Sequence, residues 1–275
     1  MSNYKPDASS LVMLTIGASL LGSALLATGC GPVHDGTQPQ GEAQVVVAAA
    51  PQPAEAPAPG LYAVFEDKSR SVQTARVAPL QEQDLLTLID VLRQTGGELS
   101  FGLIGEARDR PLVRLRIPQP PARPVERTVQ NPFERADEDA KFQAELAQYE
   151  TLRQRWAAET GEHINAFLSA VRPRLQEPAH DNVTDVYAAL SRAELFLNEP
   201  AAVWPRATHR YIILNSDGIA TAGRKSVELK SGARLLVING GGSVGSLAPL
   251  NPLRFESKQS AFDFIAATEL GRHER

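Results

Sequence analysis

Apolar and polar positions along the chain fall into three regimes. Residues 11–26 form a predominantly apolar run, residues 31–60 hold few large apolar side chains, and from residue 61 short apolar runs alternate with longer, periodically apolar stretches. Residues 61–65 (Leu-Tyr-Ala-Val-Phe) show no amphipathic alternation and stop at Asp67, as a strand buried on both faces would. Over residues 81–94, Leu85, Leu88, Ile89 and Leu92 recur at helical spacing, and Gly96-Gly97 ends the pattern. Residues 98–105 read as a second strand and 111–117, alternating with period two, as a third. The short polar link 106–110 makes those two an antiparallel hairpin.

A Pro-rich loop over 118–133 precedes residues 134 to about 172, dense in Ala, Glu, Gln and Arg. Phe142, Leu146, Tyr149, Leu152, Trp156, Ile164, Phe167 and Val171 give this stretch a helical stripe: one long helix, or two broken near Gly161. The stripe admits a coiled-coil partner, but its shortness and aromatic content favour packing on the protein's own sheet. A further helix is expected over 186–196, then a strand over 210–214 ending in Asn215-Ser216-Asp217-Gly218. A strand over 234–239 runs into Gly240-Gly241-Gly242, followed by a short strand over 254–256 and a helix over 258–270. The alternation predicts an α/β fold: a doubly wound, Rossmann-like, mostly parallel sheet with one antiparallel edge hairpin and helices on both faces.

Composition adds exclusions. The 275 residues are 43% apolar and 22% charged, enough for a sizeable core, and a net charge of −4 leaves no electrostatic footprint for nucleic acid. His34, His163, His180, His209 and His273 are scattered without metal-ligand spacing, and the single cysteine, Cys30, excludes a disulfide framework. Cys30 closes the apolar run. A polar start with Lys5, an apolar stretch and small residues before a cut have the layout of a secretory leader. A membrane span is the weaker reading: as a helix, residues 11–26 reach only ~24 Å of the ~30 Å hydrocarbon core.

Ala27-Thr28-Gly29-Cys30 resembles the lipobox of bacterial lipoproteins. That resemblance implies removal of residues 1–29 and a tri-acylated Cys30 as membrane anchor, since one acyl chain anchors only marginally. Gly31, rather than Asp, after the cysteine implies an outer-membrane protein facing the periplasm or the exterior. A plain secreted protein is the alternative. Residues 31–60, with six Pro, seven Ala and four Gly, read as an extended tether, so residues 1–29 are leader, 30–59 tether and 60–275 the folded domain.

In a doubly wound sheet, ligands bind beyond the carboxyl ends of the strands. Two predicted strands end in an aspartate, Asp67 and Asp217, and Ser69 and Ser71 follow Asp67 at alternate positions. Thr184 opens a helix on a third loop. Carboxylates and hydroxyls without imidazole or thiolate suit a hard dication such as Mg²⁺ or Mn²⁺, with room for water and one acidic group from outside. Taken alone, Asp-x-Ser-x-Ser is equally a polar turn with Asx and Ser caps.

The three segments together, Asp67-Lys68-Ser69-Arg70-Ser71, Thr184-Asp185 ahead of Val186-Tyr187-Ala188-Ala189-Leu190, and Leu214-Asn215-Ser216-Asp217-Gly218, resemble a von Willebrand factor type A domain with its metal-ion-dependent adhesion site. The likeness spans about residues 60–118 and 180–270, with 119–178 as a helical insertion; Ser216 stands where that family usually has Thr. The resemblance implies direct coordination of Mg²⁺ (or Mn²⁺ or Ca²⁺) by Ser69, Ser71 and, in the ligand-competent state, Thr184. Asp67 and Asp217 would act mostly through water, and Asp185 from behind the ligands. The implied act is reversible binding of a protein presenting Asp or Glu, not catalysis. A scaffold of the same fold without metal is an alternative.

A different class is a serine hydrolase. Gly241-Gly242-Ser243-Val244-Gly245 matches the nucleophile-elbow pattern, and Asp263 and His273 follow in hydrolase order. Against it, Pro249 and Pro252 forbid the long helix the elbow needs, and only 32 residues remain after Ser243. The overlapping Gly240-x-Gly242-x-x-Gly245 fits a dinucleotide fingerprint and fails for the same reason. A Gly-rich loop between strands is the simpler reading.

Overall fold

Gly60–Asp67 forms the first strand, β1, and every one of its residues is buried. The computed structural model describes residues 57–75, 77–105, 110–127, 131–179, 184–199, 204, 209–223, 227–239 and 244–271. The expected leader, Cys30, most of the tether, Ser243 and His273 lie outside the described residues.

β1 is central. It pairs in parallel with β2 (Gly97–Ile104) on one side and with β4 (His209–Asn215) on the other. β3 (Val113–Ile117) runs antiparallel to β2, the expected hairpin, while β5 (Arg234–Ile238) and β6 (Leu253–Phe255) extend the parallel part. The order is β3-β2-β1-β4-β5-β6, a six-stranded α/β sheet with one antiparallel pair.

Side chains alternate across a strand, so β1 serves two apolar layers at once. Tyr62 and Val64 enter a layer with α2 (Glu82–Thr95), α5 (Lys258–Leu270) and the end of α3 (Pro132–Leu175). Leu61, Ala63 and Phe65 enter the other, beneath α4 (Val186–Asn198). Burial on both faces is why residues 61–65 read as a continuous apolar run. α2 begins with a reciprocal cap, the Gln81 amide donating to Asp84 Oδ2 at 2.6 Å, which had left no trace in the apolar pattern.

α3 is one helix, not two. Its 44 residues span ~66 Å and pass Gly161 without a break, although no neighbouring atom comes within 4 Å of the Cβ that a larger residue would place there. Only the carboxyl part, through Ile164, Phe167, Leu168 and Val171, joins the core. The amino part is lined instead by the Pro-rich stretch 118–127. Trp156 Nε1 donates to the Pro118 carbonyl at 3.0 Å, and Arg127 pairs with Glu138 at 4.0 Å. The helix also runs to Leu175, beyond the expected end near Arg172, with Pro173 in its last turn. Bonds from outside hold that turn: Arg174 Nη2 to the Pro111 carbonyl (3.0 Å) and Lys68 Nζ to the Leu175 carbonyl (2.8 Å). Among the described residues no helix is long and apolar enough to cross a membrane.

The stretch after Val244 is a six-residue 3₁₀ turn, Gly245–Leu250, containing Pro249. It offers no α-helix on which an oxyanion hole or a pyrophosphate site would be built. Asp263, the acid of the hydrolase reading, sits exposed on α5 and accepts from Gln259 Nε2 at 2.7 Å.

Candidate metal site

From β1 the sheet grows one way to β2 and the other way to β4, so the topological switch point lies between β1 and β4. Ligand crevices form there, outside the carboxyl ends of the strands. Asp67 ends β1, and Ser216-Asp217 leaves β4 beside it.

The register pairs Glu66 with Asn215 and thereby sets Asp67 against Ser216. Ser216 Oγ donates to Asp67 Oδ2 at 2.7 Å, and the Ser69 amide donates to Asp67 Oδ1 at 2.9 Å. Ser69 Oγ lies 2.9 Å from Ser71 Oγ. Ser71 belongs to the short helix α1 (Arg70–Thr74), whose start brings the two hydroxyls to one side. Asp67 and Ser69 are 2% and 6% exposed.

Asp217 is equally buried. Its Oδ1 accepts from the Ile219 amide at 3.0 Å, and its Oδ2 is enclosed without a hydrogen-bond partner. Burial pushes the Asp67 carboxyl above its usual range. Bonds from Ser216 and Ser69 pull it back, and the charge of Asp217 adds to the push. The adjacent basic residue does not relieve this: Lys68 sends its Nζ toward the Leu175 carbonyl and to 3.7 Å from Glu66 Oε1. The charge of Asp217 thus adds to the cost of ionising Asp67, and Asp217 keeps an enclosed oxygen without a hydrogen-bond partner, the feature that makes this strand end a candidate cation site.

Thr184, 2% exposed, belongs to the adjoining loop. Its amide donates to Thr221 Oγ1 at 2.8 Å, and its carbonyl accepts from the amides of Thr221 (3.0 Å) and Ala222 (3.3 Å). It is thus sewn to the far end of the loop that carries Asp217, while its hydroxyl bonds to none of Asp67, Ser69, Ser71 or Asp217. Asp185, expected behind the ligands, caps α4: its Oδ1 accepts from the Ala188 amide at 2.9 Å.

Two contributors were not foreseen. Ser216 clamps Asp67, and Asn215 Nδ2 donates to Glu66 Oε2 (2.7 Å) and the Ala78 carbonyl (3.0 Å) on the opposite face. Both depend on β1–β4 register, which becomes visible only once the strands are paired. Gly218 and Gly245 have a structural use, while Gly240, Gly241 and Gly242 lie outside the described residues. Gly218 and Gly245 adopt φ of 73° and 52°, and a Cβ on Gly218 would lie 2.7 Å from the Val244 carbonyl oxygen. Ser246 completes the lock: its amide donates to the Gly218 carbonyl (3.3 Å) and its Oγ accepts from Ala220 (3.1 Å).

Among the described residues no group of three or more His, Cys, Asp or Glu converges as a metal-ligand set. The candidate set is of another kind, rich in hydroxyls with two carboxylates, and its chemistry fits Mg²⁺, Mn²⁺ or Ca²⁺. The Ser69 and Ser71 hydroxyls are hydrogen-bonded to each other at 2.9 Å, which keeps two hard oxygens side by side. No known protein family, curated protein or solved structure matches the chain.

Proposed function

We propose that the chain is an envelope lipoprotein presenting a von Willebrand A-like domain that binds a protein partner through a divalent cation. The observation that carries the reading is the buried, unpartnered Asp217 Oδ2 beside Asp67 at the switch point of the sheet. Ser69 and Ser71 would hold the cation directly, with Asp67 and Asp217 supplying charge and Thr184 joining from the neighbouring loop. When bound, the ion supplies a Lewis-acidic position open to an Asp or Glu of the partner. The hairpin after α2 and the three loops gathered at the carboxyl ends of the strands agree with the sequence resemblance. Cys30 would anchor the domain to the outer membrane, the tether holding it clear of the surface.

Titrating the full chain with MnCl₂ tests the cation directly. Calorimetry is expected to report one site, and at a hundredfold excess over Kd the protein should gain about 3 kcal/mol against unfolding. Absence of both heat and stabilisation by Mn²⁺ or Mg²⁺ would leave only the scaffold reading. For the anchor, Cys30→Ala should move the protein from the membrane to the soluble fraction; retention on membranes would overturn it.

A further inference from the structure

We infer that Lys68 is a positioning residue through which the end of α3 sets the cation affinity of the Asp67–Ser71 loop; this rests on the cation reading above. Lys68 stands between Asp67 and Ser69, whose amide donates to Asp67 Oδ1 at 2.9 Å, so its backbone orientation governs the direction of both. Its own side chain leaves on the face opposite to those of Asp67 and Ser69 and is 9% exposed. A buried ammonium is costly unless paired, and Lys68 has two partners: the Leu175 carbonyl at 2.8 Å and Glu66 Oε1 at 3.7 Å. Leu175 is the last residue of α3. Its carbonyl has no acceptor role within the helix and lies at the negative end of the helix dipole, so the ammonium satisfies both.

The contact therefore joins the candidate metal loop to a helix end 107 residues away in sequence. Independent bonds seat that end, Arg172 making paired 2.9 Å bonds to Glu82 on α2. The amino part of α3 lies outside the core, with Phe133 92% exposed. A shift of the helix reaches the loop through Leu175 and Lys68. By reciprocity, cation binding must steady the last turn of α3 by the same free energy.

The test is a double-mutant cycle on the full chain, with Mn²⁺ as probe and calorimetry as readout. Lys68→Met should weaken Mn²⁺ about tenfold, and Lys68→Arg, which keeps a donor able to reach Leu175, should recover most of the loss. Arg172→Ala, remote from the loop, should weaken Mn²⁺ a few-fold in the wild-type background and not at all beside Lys68→Met. Mn²⁺ should also slow amide exchange at residues 174–176 in the wild type. Equal effects of Arg172→Ala in both backgrounds, or unchanged exchange at 174–176, would overturn the coupling while leaving the cation site standing. If Lys68→Met does not fold, Arg172→Ala and the exchange measurement decide alone. Failure of the wild type to bind Mn²⁺ sinks the cation reading and this inference with it.

Discussion

Asp217→Asn should make the cation-free protein more stable and at the same time abolish its response to cation. The aspartate keeps one oxygen on the Ile219 amide and encloses the other without a partner, while its charge acts on Asp67. Asparagine retains the acceptor for Ile219 and removes the charge that acts on Asp67. Replacing an enclosed, unpaired carboxylate oxygen by a neutral group lowers the desolvation cost by about 1 kcal/mol or more. The same change removes half the negative charge available to a dication. Urea unfolding with chelator, and again with excess Mn²⁺, reads both effects. The variant should start above the wild type and fail to rise. A variant that is less stable without cation, or that still gains from Mn²⁺, would refute the assignment. Asp67→Ala makes the contrast: it also abolishes binding, but strips Ser216 Oγ and the Ser69 amide of their acceptor and costs about 1–3 kcal/mol. A cation site built this way would be costly without its ion and relieved by it, a compromise between stability and function.

The second large effect concerns pH. Glu66 sits behind the candidate site, 1% exposed, accepting from Asn215 Nδ2 and the Leu80 amide. Burial raises its pKa to about 7, against the pull of Asn215, Lys68 and Leu80. The folded protein therefore binds more protons than the unfolded chain between the ordinary carboxylate value of 4.5 and about 7. Stability is greatest below that window and falls as pH rises through it, by about 3 kcal/mol from this one group. Asp67, also raised, adds in the same direction. The partly exposed Glu82 and Glu138, lowered by Arg172 and Lys141, act in the opposite sense. Glu66→Gln should flatten the decline between pH 4.5 and 7.5 in chelated buffer, while leaving those other contributions in place. An unchanged slope in the variant would show that Glu66 is not the group responsible.

The β-sheet was largely legible in the sequence because its signal is local. β1 announced itself as an unalternating apolar run, since both its faces are covered, and β3 by alternation, since it lies at an edge with Arg114 and Arg116 exposed. α3 was harder. Gly161 and Pro173 both argue locally for a break, and both are overruled: Trp156 and Ile164 pack on either side of the first, and bonds from Lys68 and Arg174 hold the turn after the second. Asp67, Ser69, Ser71 and Asp217 could be picked out because strand ends are where this architecture places ligands. The Ser216–Asp67 clamp and the Asn215–Glu66 bond each bridge 149 residues and depend on register, which no local pattern encodes. Asp185 illustrates the converse. Its position beside Thr184 suggested metal chemistry, whereas an acid just before a helix has the commoner duty of capping it.

The Pro-rich stretch beside α3 constrains how such a chain can change length. From Pro118 to Arg127 is nine steps, ~28 Å at the rise of an extended Pro-rich chain. From Glu138 to Trp156, the helix residues met at its two ends, is eighteen steps, ~27 Å at helical rise. The two run commensurately, two helical residues to each extended one. Removing a heptad from the helix would shorten it by ~10 Å and strand about three residues of the strap. Insertions and deletions in relatives should therefore come as matched pairs in a two-to-one ratio, one in the helix and one in the proline segment.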